Sequence, residues 1–407
     1  MGKQTTIASI DVGTTKICTT IAEINDGGSL RVAGVGITPS NGLHKGLVVN
    51  INDARESIRR SVIKAEQSSG YKIESAYVGV TGRHVASLNN RGVVAITRND
   101  RLVRPEDLRR VMQSAQSVKV PGDRKLLHVI PRGYAVDGQS GVKNPVGMHG
   151  FRLDVETHVI TAAVASVQNL AKCIRGIGID IEDMVLEPLA SSEAILTEDE
   201  KQVGVILADI GGGTTDIAVF KDGSIWHTAI LPVAGYQLTR DVAIGLGLPF
   251  EVAEEMKKMH ASVMPVYEGK SDSGNVMAED GHGASYQDLC DIVRARVEEI
   301  MRLILLELPR SESEYEALVP AGLVLTGGSS NLSGIDILGR DILRLPVRVG
   351  SPNNIYGITD ALCNPAYATS VGLLLWGAKH QGEQGGKFRG FGGGWRRLVS
   401  RVFQLFG

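Results

Sequence analysis

A turn rich in glycine and threonine occurs twice, half a chain apart, and it limits the possible folds more than any other feature. Asp11-Val12-Gly13-Thr14-Thr15-Lys16-Ile17 recurs as Asp209-Ile210-Gly211-Gly212-Gly213-Thr214-Thr215-Asp216-Ile217. Each copy follows a β-rich apolar run, residues 6–10 and 203–208, and leads into another, residues 17–24 and 217–220. Both places therefore predict a strand, a tight turn and a second strand. Two equivalent hairpins imply two related α/β halves facing each other. The 407 residues leave room for two or three domains, and 43% hydrophobic residues suffice to fill their cores.

The residue types in the repeat suit a triphosphate. Such a ligand needs inward-facing backbone amides, hydroxyls for its oxygens, and carboxylates to hold hydrated Mg²⁺. Glycine lets the chain approach phosphate without a Cβ in the way. Gly13, Thr14 and Thr15 provide this on the first hairpin, and Gly211, Gly212, Gly213 and Thr214 on the second. Asp11 and Asp209 precede the turns, where carboxylates can hold magnesium waters; Lys16 can neutralise phosphate charge. Taken singly, each loop is also compatible with an ordinary glycine hairpin turn.

Elsewhere the pattern is helical. Asn52 is expected to cap a helix with Ile58, Val62 and Ala65 on one side, ending near Gly70. Pro105-Glu106-Asp107 opens another, with proline in the first turn and acids facing the dipole. Residues 286–308 keep a helical apolar stripe, and residues 323–325 read as a buried strand ending at Thr326-Gly327-Gly328. Residues 268–285 look like a mobile loop or hairpin tip, and residues 380–394 like a Gly-rich linker.

Several classes are disfavoured. Net charge is −2, so no global basic field argues for nucleic acid. Cys18, Cys173, Cys290 and Cys363 are scattered without a CxxC pair, which fits a reducing compartment. No signal peptide or spanning apolar run is evident, so a cytoplasmic location is expected. His128, His149 and His260 lack metal-ligand spacing and read as structural.

The tail has its own physics. Trp395, Leu398, Val399, Val402, Phe403 and Phe406 recur at helical spacing, while Arg396, Arg397, Ser400, Arg401 and Gln404 take the other face. No acid follows Glu383. This pattern predicts an interfacial helix with arginines for anionic lipid, each contributing about 1 kcal/mol. Docking in a core or a partner's groove is the competing reading. The segment is too short to hold a helix alone in water. It should fold on lipid and bind weakly, and many tails on one polymer would bind by avidity.

The paired loops, followed by Leu325-Thr326-Gly327-Gly328-Ser329, resemble the actin/Hsp70/sugar-kinase superfamily. There the three segments are two phosphate loops and an adenosine loop. No GxxxxGK[ST] motif is present, so a P-loop is not expected. The resemblance implies an α/β, duplicated actin-like (ribonuclease H-like) ATPase fold that binds ATP with Mg²⁺. It also implies that Glu187, in Glu187-Pro188, orients a hydrolytic water. A helix N-terminal carboxylate is the plainer reading of that residue. Glu254 and Lys257 resemble the ExxK pair that reaches ribose and adenine, with Gly235 placed beside them; a solvated helix ion pair is the alternative.

One family within that superfamily stands out. His128-Val129-Ile130-Pro131-Arg132-Gly133-Tyr134, Asp137, Asn144-Pro145-Val146-Gly147-Met148 and Arg152-Leu153 resemble the inserted subdomain 1C of the FtsA family of bacterial cell-division proteins. Residues 10–16, 41–48 and 208–220 look similar too. The resemblance implies subdomain 1A at 1–83 and 160–198, 1C at 84–159, 2A at 199–234 and 300–379, and 2B at 235–299. A linker at 380–394 and a membrane-targeting helix at 395–407 complete it. A member would polymerise on the inner membrane face at the division site, tether FtsZ, bind other division proteins and hydrolyse ATP slowly at most. A pilus-assembly relative with a similar insert, a metabolic kinase and a chaperone are the competing classes. The tail argues against the kinase and the pilus relative, and for a chaperone a substrate-binding domain would be expected after the ATPase in place of a linker and helix.

Overall fold

The computed structural model describes residues 5–25, 29–265, 275–279, 281–308, 318–353 and 355–380. The first half starts with β1 (Thr5–Val12), β2 (Lys16–Ile24) and β3 (Leu30–Pro39), an antiparallel meander. A small hairpin, β4 (Leu43–His44) and β5 (Leu47–Val48), leads into α1 (Ile51–Ser69) and then β6 (Ser75–Val80). Ile58, Val62 and Ala65 of α1 are buried, as their spacing predicts. The cap is Asn50, not Asn52. Asn50 has extended backbone, and its side chain accepts from the amides of Asn52 and Asp53, so the helix starts earlier than expected. It ends on Gly70 in the left-handed conformation (φ 76°).

An inserted unit follows, made of β7 (Val85–Ala95), α2 (Pro105–Gln116), β8 (Arg124–Val136), β9 (Gln139–Val142) and β10 (Arg152–Ala163). Its sheet runs β7-β10-β8-β9, and α2 closes a separate core of Ile96, Leu108, Val111, Leu153 and Val155. The chain returns through α3 (Val164–Arg175), β11 (Asp180–Leu186), α4 (Glu187–Ile195) and α5 (Glu198–Val203).

The second half repeats the first. It comprises β12 (Val205–Ile210), β13 (Thr215–Lys221), β14 (Ser224–Leu231), α6 (Gly235–Leu246), α7 (Phe250–His260), the hairpin β15 (Asn275–Met277) and β16 (Gly283–Ser285), and α8 (Tyr286–Leu306). Then come β17 (Leu323–Thr326), α9 (Ile335–Leu343), β18 (Val347–Val349), β19 (Tyr356–Gly357) and α10 (Ala368–His380). In space β3-β2-β1-β6-β11 matches β14-β13-β12-β17-β18, with two antiparallel and two parallel pairings each. The duplication read from the repeat is thus a duplication of topology. Among the described residues of the two large sheets, β19 alone breaks the match, crossing back to lie beside β3.

Register corrects the alignment of the two motifs. The pairs Val12↔Ile17 and Ile210↔Thr215 close four-residue loops, 13–16 and 211–214. By position Lys16 therefore matches Thr214, and Cys18 matches Asp216. The Thr-Thr pairs of the two motifs are therefore offset from each other by two residues.

α4 and α10 cross so closely that a Cβ on Gly372 would fall 1.9 Å from the Ala190 carbonyl oxygen. α10 is buried on almost every side, which explains its unbroken apolar character. His380 belongs to this helix rather than to a linker: it is buried, with Nδ1 2.6 Å from the Trp376 carbonyl. Residues 381–407, including the rest of the predicted linker and the whole amphipathic segment, lie outside the described residues, as do 268–274 and 280 of the predicted loop. Among the described residues no helix is long and apolar enough to cross a membrane.

The insert also touches the second half, along β14. Ser87 Oγ donates to the Thr228 carbonyl (2.9 Å), His158 Nε2 lies 2.9 Å from Thr228 Oγ1, and Ser224 Oγ donates to the Pro131 carbonyl (2.8 Å). The Arg132 guanidinium lies 4.0 Å from the centre of the Trp226 ring.

Candidate functional site

The two glycine-threonine loops meet. A Cβ on Gly212 would fall 2.3 Å from Thr15 Cγ2, and one on Gly213 would fall 2.5 Å from Thr14 Oγ1. Only glycine leaves room for the facing threonines. The second loop is held from behind: Gly235 N–H donates to the Gly211 carbonyl (3.1 Å), Tyr236 N–H to Gly212 (2.7 Å), and Ser329 Oγ to Gly211 (3.1 Å). Gly327 turns left-handed (φ 86°) where β17 ends, and a Cβ there would meet Asp209 Oδ1 at 2.3 Å. Gly328 opens the short 3-10 turn Gly328–Asn331. Loops from four places in the chain thus converge on one point.

Glu254 and Lys257 lie on α7, facing the start of α6. Lys257 Nζ is 2.5 Å from Glu254 Oε2, and it donates to Thr239 Oγ1 (2.9 Å) and the Gly235 carbonyl (3.3 Å). Lys257 is buried, so this is not the solvated pair that helical spacing alone allows. Burial lowers the Lys257 pKa. For Glu254, burial pushes the pKa up, but the Lys257 charge together with hydrogen bonds from Lys257, Thr239 and Lys258 holds the carboxyl below its usual range.

Below the loops lie four buried carboxyls, Asp11, Asp209, Asp216 and Glu187. Asp11 accepts from Ser370 Oγ at 2.7 Å, and burial raises its pKa to about 6. Asp209 accepts from Ser191 Oγ (2.7 Å) and Thr369 Oγ1 (3.2 Å), and burial raises its pKa as well. Asp216 accepts from Thr81 Oγ1 and from Thr214 Oγ1 (2.9 Å); burial, reinforced by Asp209, raises it to about 7. Glu187, the first residue of α4, is pushed well above the usual carboxylate range by burial and then by Asp11, Asp216 and Asp209. Its Oε1 has no protein partner and borders a cavity shared with Gly46, Thr81 and His84. Lys16 lowers the pKa of Asp11, Asp209 and Glu187, and its Nζ lies 4.5 Å from the centre of the Tyr367 ring. Buried carboxyls of one sign, held in place by hydroxyls and shifted in pKa, mark a candidate functional site.

Sequence reasoning missed Asp216, Thr81, Ser191, Thr369 and Ser370. Asp216 stood inside the repeat, and its cross-strand pairing with Asp209 shows why it belongs to the cluster. The hydroxyls carried no signal. Ser370 and Thr369 reach Asp11 and Asp209 from residues 359 and 160 positions away in the chain.

Comparison with known proteins bears on this arrangement. A family model described as the SHS2 domain inserted in FtsA matches residues 82–161, and one described as cell division protein FtsA matches residues 206–372. The chain is 44% identical over 380 residues to the cell division protein FtsA of Pseudomonas aeruginosa, covering 93% of this chain and 90% of that protein. The chain belongs to the FtsA family. FtsA of Bacillus subtilis is 39% identical (93% and 85% covered), and FtsA of Escherichia coli K12 is 34% identical (91% and 90% covered). Among solved structures, this FtsA-family chain is similar to one from the PilM–PilN type IV pilus biogenesis complex, with TM-score 0.63, 16% identity, and 92% and 99% covered. It is also similar to MreB5 of Spiroplasma citri bound to ADP (TM-score 0.54, 13% identity, 92% and 96% covered) and to the MamK double helical filament (0.52, 16%, 91% and 98%). At such identities these structures show the fold alone, which is the duplicated actin-like α/β fold with an FtsA-type insert.

Proposed function

We propose that this FtsA-family cell-division protein binds Mg·ATP in the cleft between its halves, polymerises on the inner membrane face at the division site, and tethers the FtsZ ring. The observation that carries the nucleotide part is the meeting of loops 13–16 and 211–214 above four buried carboxyls. In this reading the amides and hydroxyls of Gly13, Thr14, Thr15 and Gly211, Gly212, Gly213, Thr214 bind the phosphates, with Lys16 countering their charge. Gly235, Glu254, Lys257, Gly327, Gly328 and Ser329 form the adenosine side. Asp11 and Asp209 hold magnesium through water; the ion, when bound, offsets the charge shared by phosphates and carboxylates. The donor set fits, because both carboxyls are fixed by hydroxyls and burial raises their pKa values, so a hydrated cation would favour their charged forms. Glu187 aligns a water through its unpartnered Oε1.

The subdomain division proposed with it is 1A at 1–83 and 160–198, 1C at 84–159, 2A at 199–234 and 300–379, and 2B at 235–299. Trp395, Arg396, Arg397, Leu398, Val399, Arg401, Val402, Phe403 and Phe406 supply the lipid contact, supported by their spacing in the sequence. Family membership supports the FtsZ and division-protein partners. One pair of measurements tests the whole. Deleting residues 395–407 should leave Mg·ATP binding by calorimetry intact and abolish sedimentation with anionic liposomes. A truncated protein that still pellets with lipid refutes the anchor, and a full chain that binds no nucleotide refutes the cleft.

A further inference from the structure

We propose that Lys45, at the tip of the β4–β5 hairpin, is a further phosphate ligand of the cleft, acting on the terminal phosphate of a nucleoside triphosphate. The inference rests on the nucleotide reading above and names a residue outside both phosphate loops.

Position is the first argument. A Cβ on Gly213 would fall 2.5 Å from Thr14 Oγ1 and 3.0 Å from the Lys45 Cα, so the hairpin tip abuts both phosphate loops at once. Gly46 N–H donates to Thr14 Oγ1 at 3.2 Å, and a Cβ on Gly46 would fall 2.9 Å from the Gly82 Cα. On the other side His44 meets the Tyr236 ring edge-on, with centroids 5.9 Å apart. The hairpin is therefore wedged between the halves, and its tip cannot swing freely. Gly46 and Glu187 line the same cavity, whereas Gly327 and Ser329 do not border it. That places Lys45 at the end of the cleft where the attacking water is assigned.

Backbone conformation is the second. Lys45 has φ 48°, in the left-handed region that glycine or asparagine adopts more easily. Gly42 (φ 77°) and Gly46 (φ 73°) show that glycine is used for the neighbouring positive-φ positions of the same hairpin. A lysine kept in that conformation makes sense when its side chain is needed.

Charge is the third. Asp11, Asp209, Asp216 and Glu187 are buried together, and a triphosphate adds more negative charge to them. Lys45 is half-buried and has no hydrogen bond or ion pair among the described residues. Its ammonium, a compact charge on a flexible stem, can serve a phosphate without breaking any existing contact.

The test is calorimetric titration of the full-length chain with Mg·ATP and with Mg·ADP. Lys45→Ala should weaken ATP binding about tenfold, the loss expected for one charge-assisted hydrogen bond. ADP affinity should stay within about twofold of the parent, since only the terminal phosphate is addressed. Lys45→Met, which keeps the stem, should lose as much as alanine, and Lys45→Arg should recover most of the ATP affinity. Unchanged ATP affinity in Lys45→Ala, or equal losses for ATP and ADP, overturns the assignment while leaving the cleft reading intact. A parent protein that binds neither nucleotide overturns both.

Discussion

The two phosphate-type loops occupy matching places in matching sheets, yet they are built from opposite materials. Loop 13–16 presents side chains: two threonines and a lysine. Loop 211–214 presents three glycines and one threonine. Their contact explains the difference. Thr14 and Thr15 project into the space that side chains on Gly213 and Gly212 would occupy, so these threonines fit only because the two facing positions carry no side chain. Duplication made two copies, and the cleft then required them to become complementary.

The largest test of that comparison is Asp209→Asn. The pairing Asp209↔Asp216 puts two acids across the second hairpin, whereas the first has Asp11↔Cys18. Losing the Asp209 charge should weaken Mg·ATP binding roughly a hundredfold, about 3 kcal/mol, by calorimetry. The ligand-free protein should melt higher, because a buried like charge has gone. A lower melting temperature would mean that the Ser191 and Thr369 hydrogen bonds outweigh the repulsion.

Next comes Gly212→Ala, which places a methyl on Thr15. Overpacking should cost about 2 kcal/mol of unfolding free energy, read by denaturant titration. Adding Thr15→Ala should recover part of that loss, since neighbours that clash are not additive. A double mutant no better than the single would show that the loops do not compete for the same space.

The smallest effect concerns the insert, which only the first half carries. Burial, then His227 and Arg132, hold His158 down to about 3 from an ordinary 6.5. The folded value lies below the unfolded one. Its contribution is therefore complete above pH 6.5 and is lost as pH falls toward 3. Between pH 7 and pH 5 this removes at most about 2 kcal/mol. His158→Gln should flatten that part of the stability curve, and an unchanged slope would place the acid sensitivity elsewhere. His128 shifts in the same direction for the same cause, so part of the slope should survive.

Much of this architecture could be read in advance. Both hairpins, the stripe of α8, the proline start of α2 and the glycine end of α1 are local: each depends on residues a few positions apart. The misplaced cap at Asn52 shows where local reading slips, since Asn50 and Asn52 are chemically identical and only backbone conformation chooses between them. Glu254 and Lys257 show the same limit. Helical spacing made them a pair, but the packing of α7 on α6 turned Lys257 inward.

The amino-acid sequence alone determined that the chain has two related halves, each with a glycine-bearing turn behind an aspartate. That information is periodic and short-range, and strand alternation carries it. Tertiary structure decided which residues face those aspartates. Ser191, Thr369 and Ser370 come from α4 and α10, and the crossing of these helices is set by the close approach at Gly372 and Ala190. Hydrogen-bond partners brought together by helix packing leave no periodicity along the chain, because the distance that matters is across the fold.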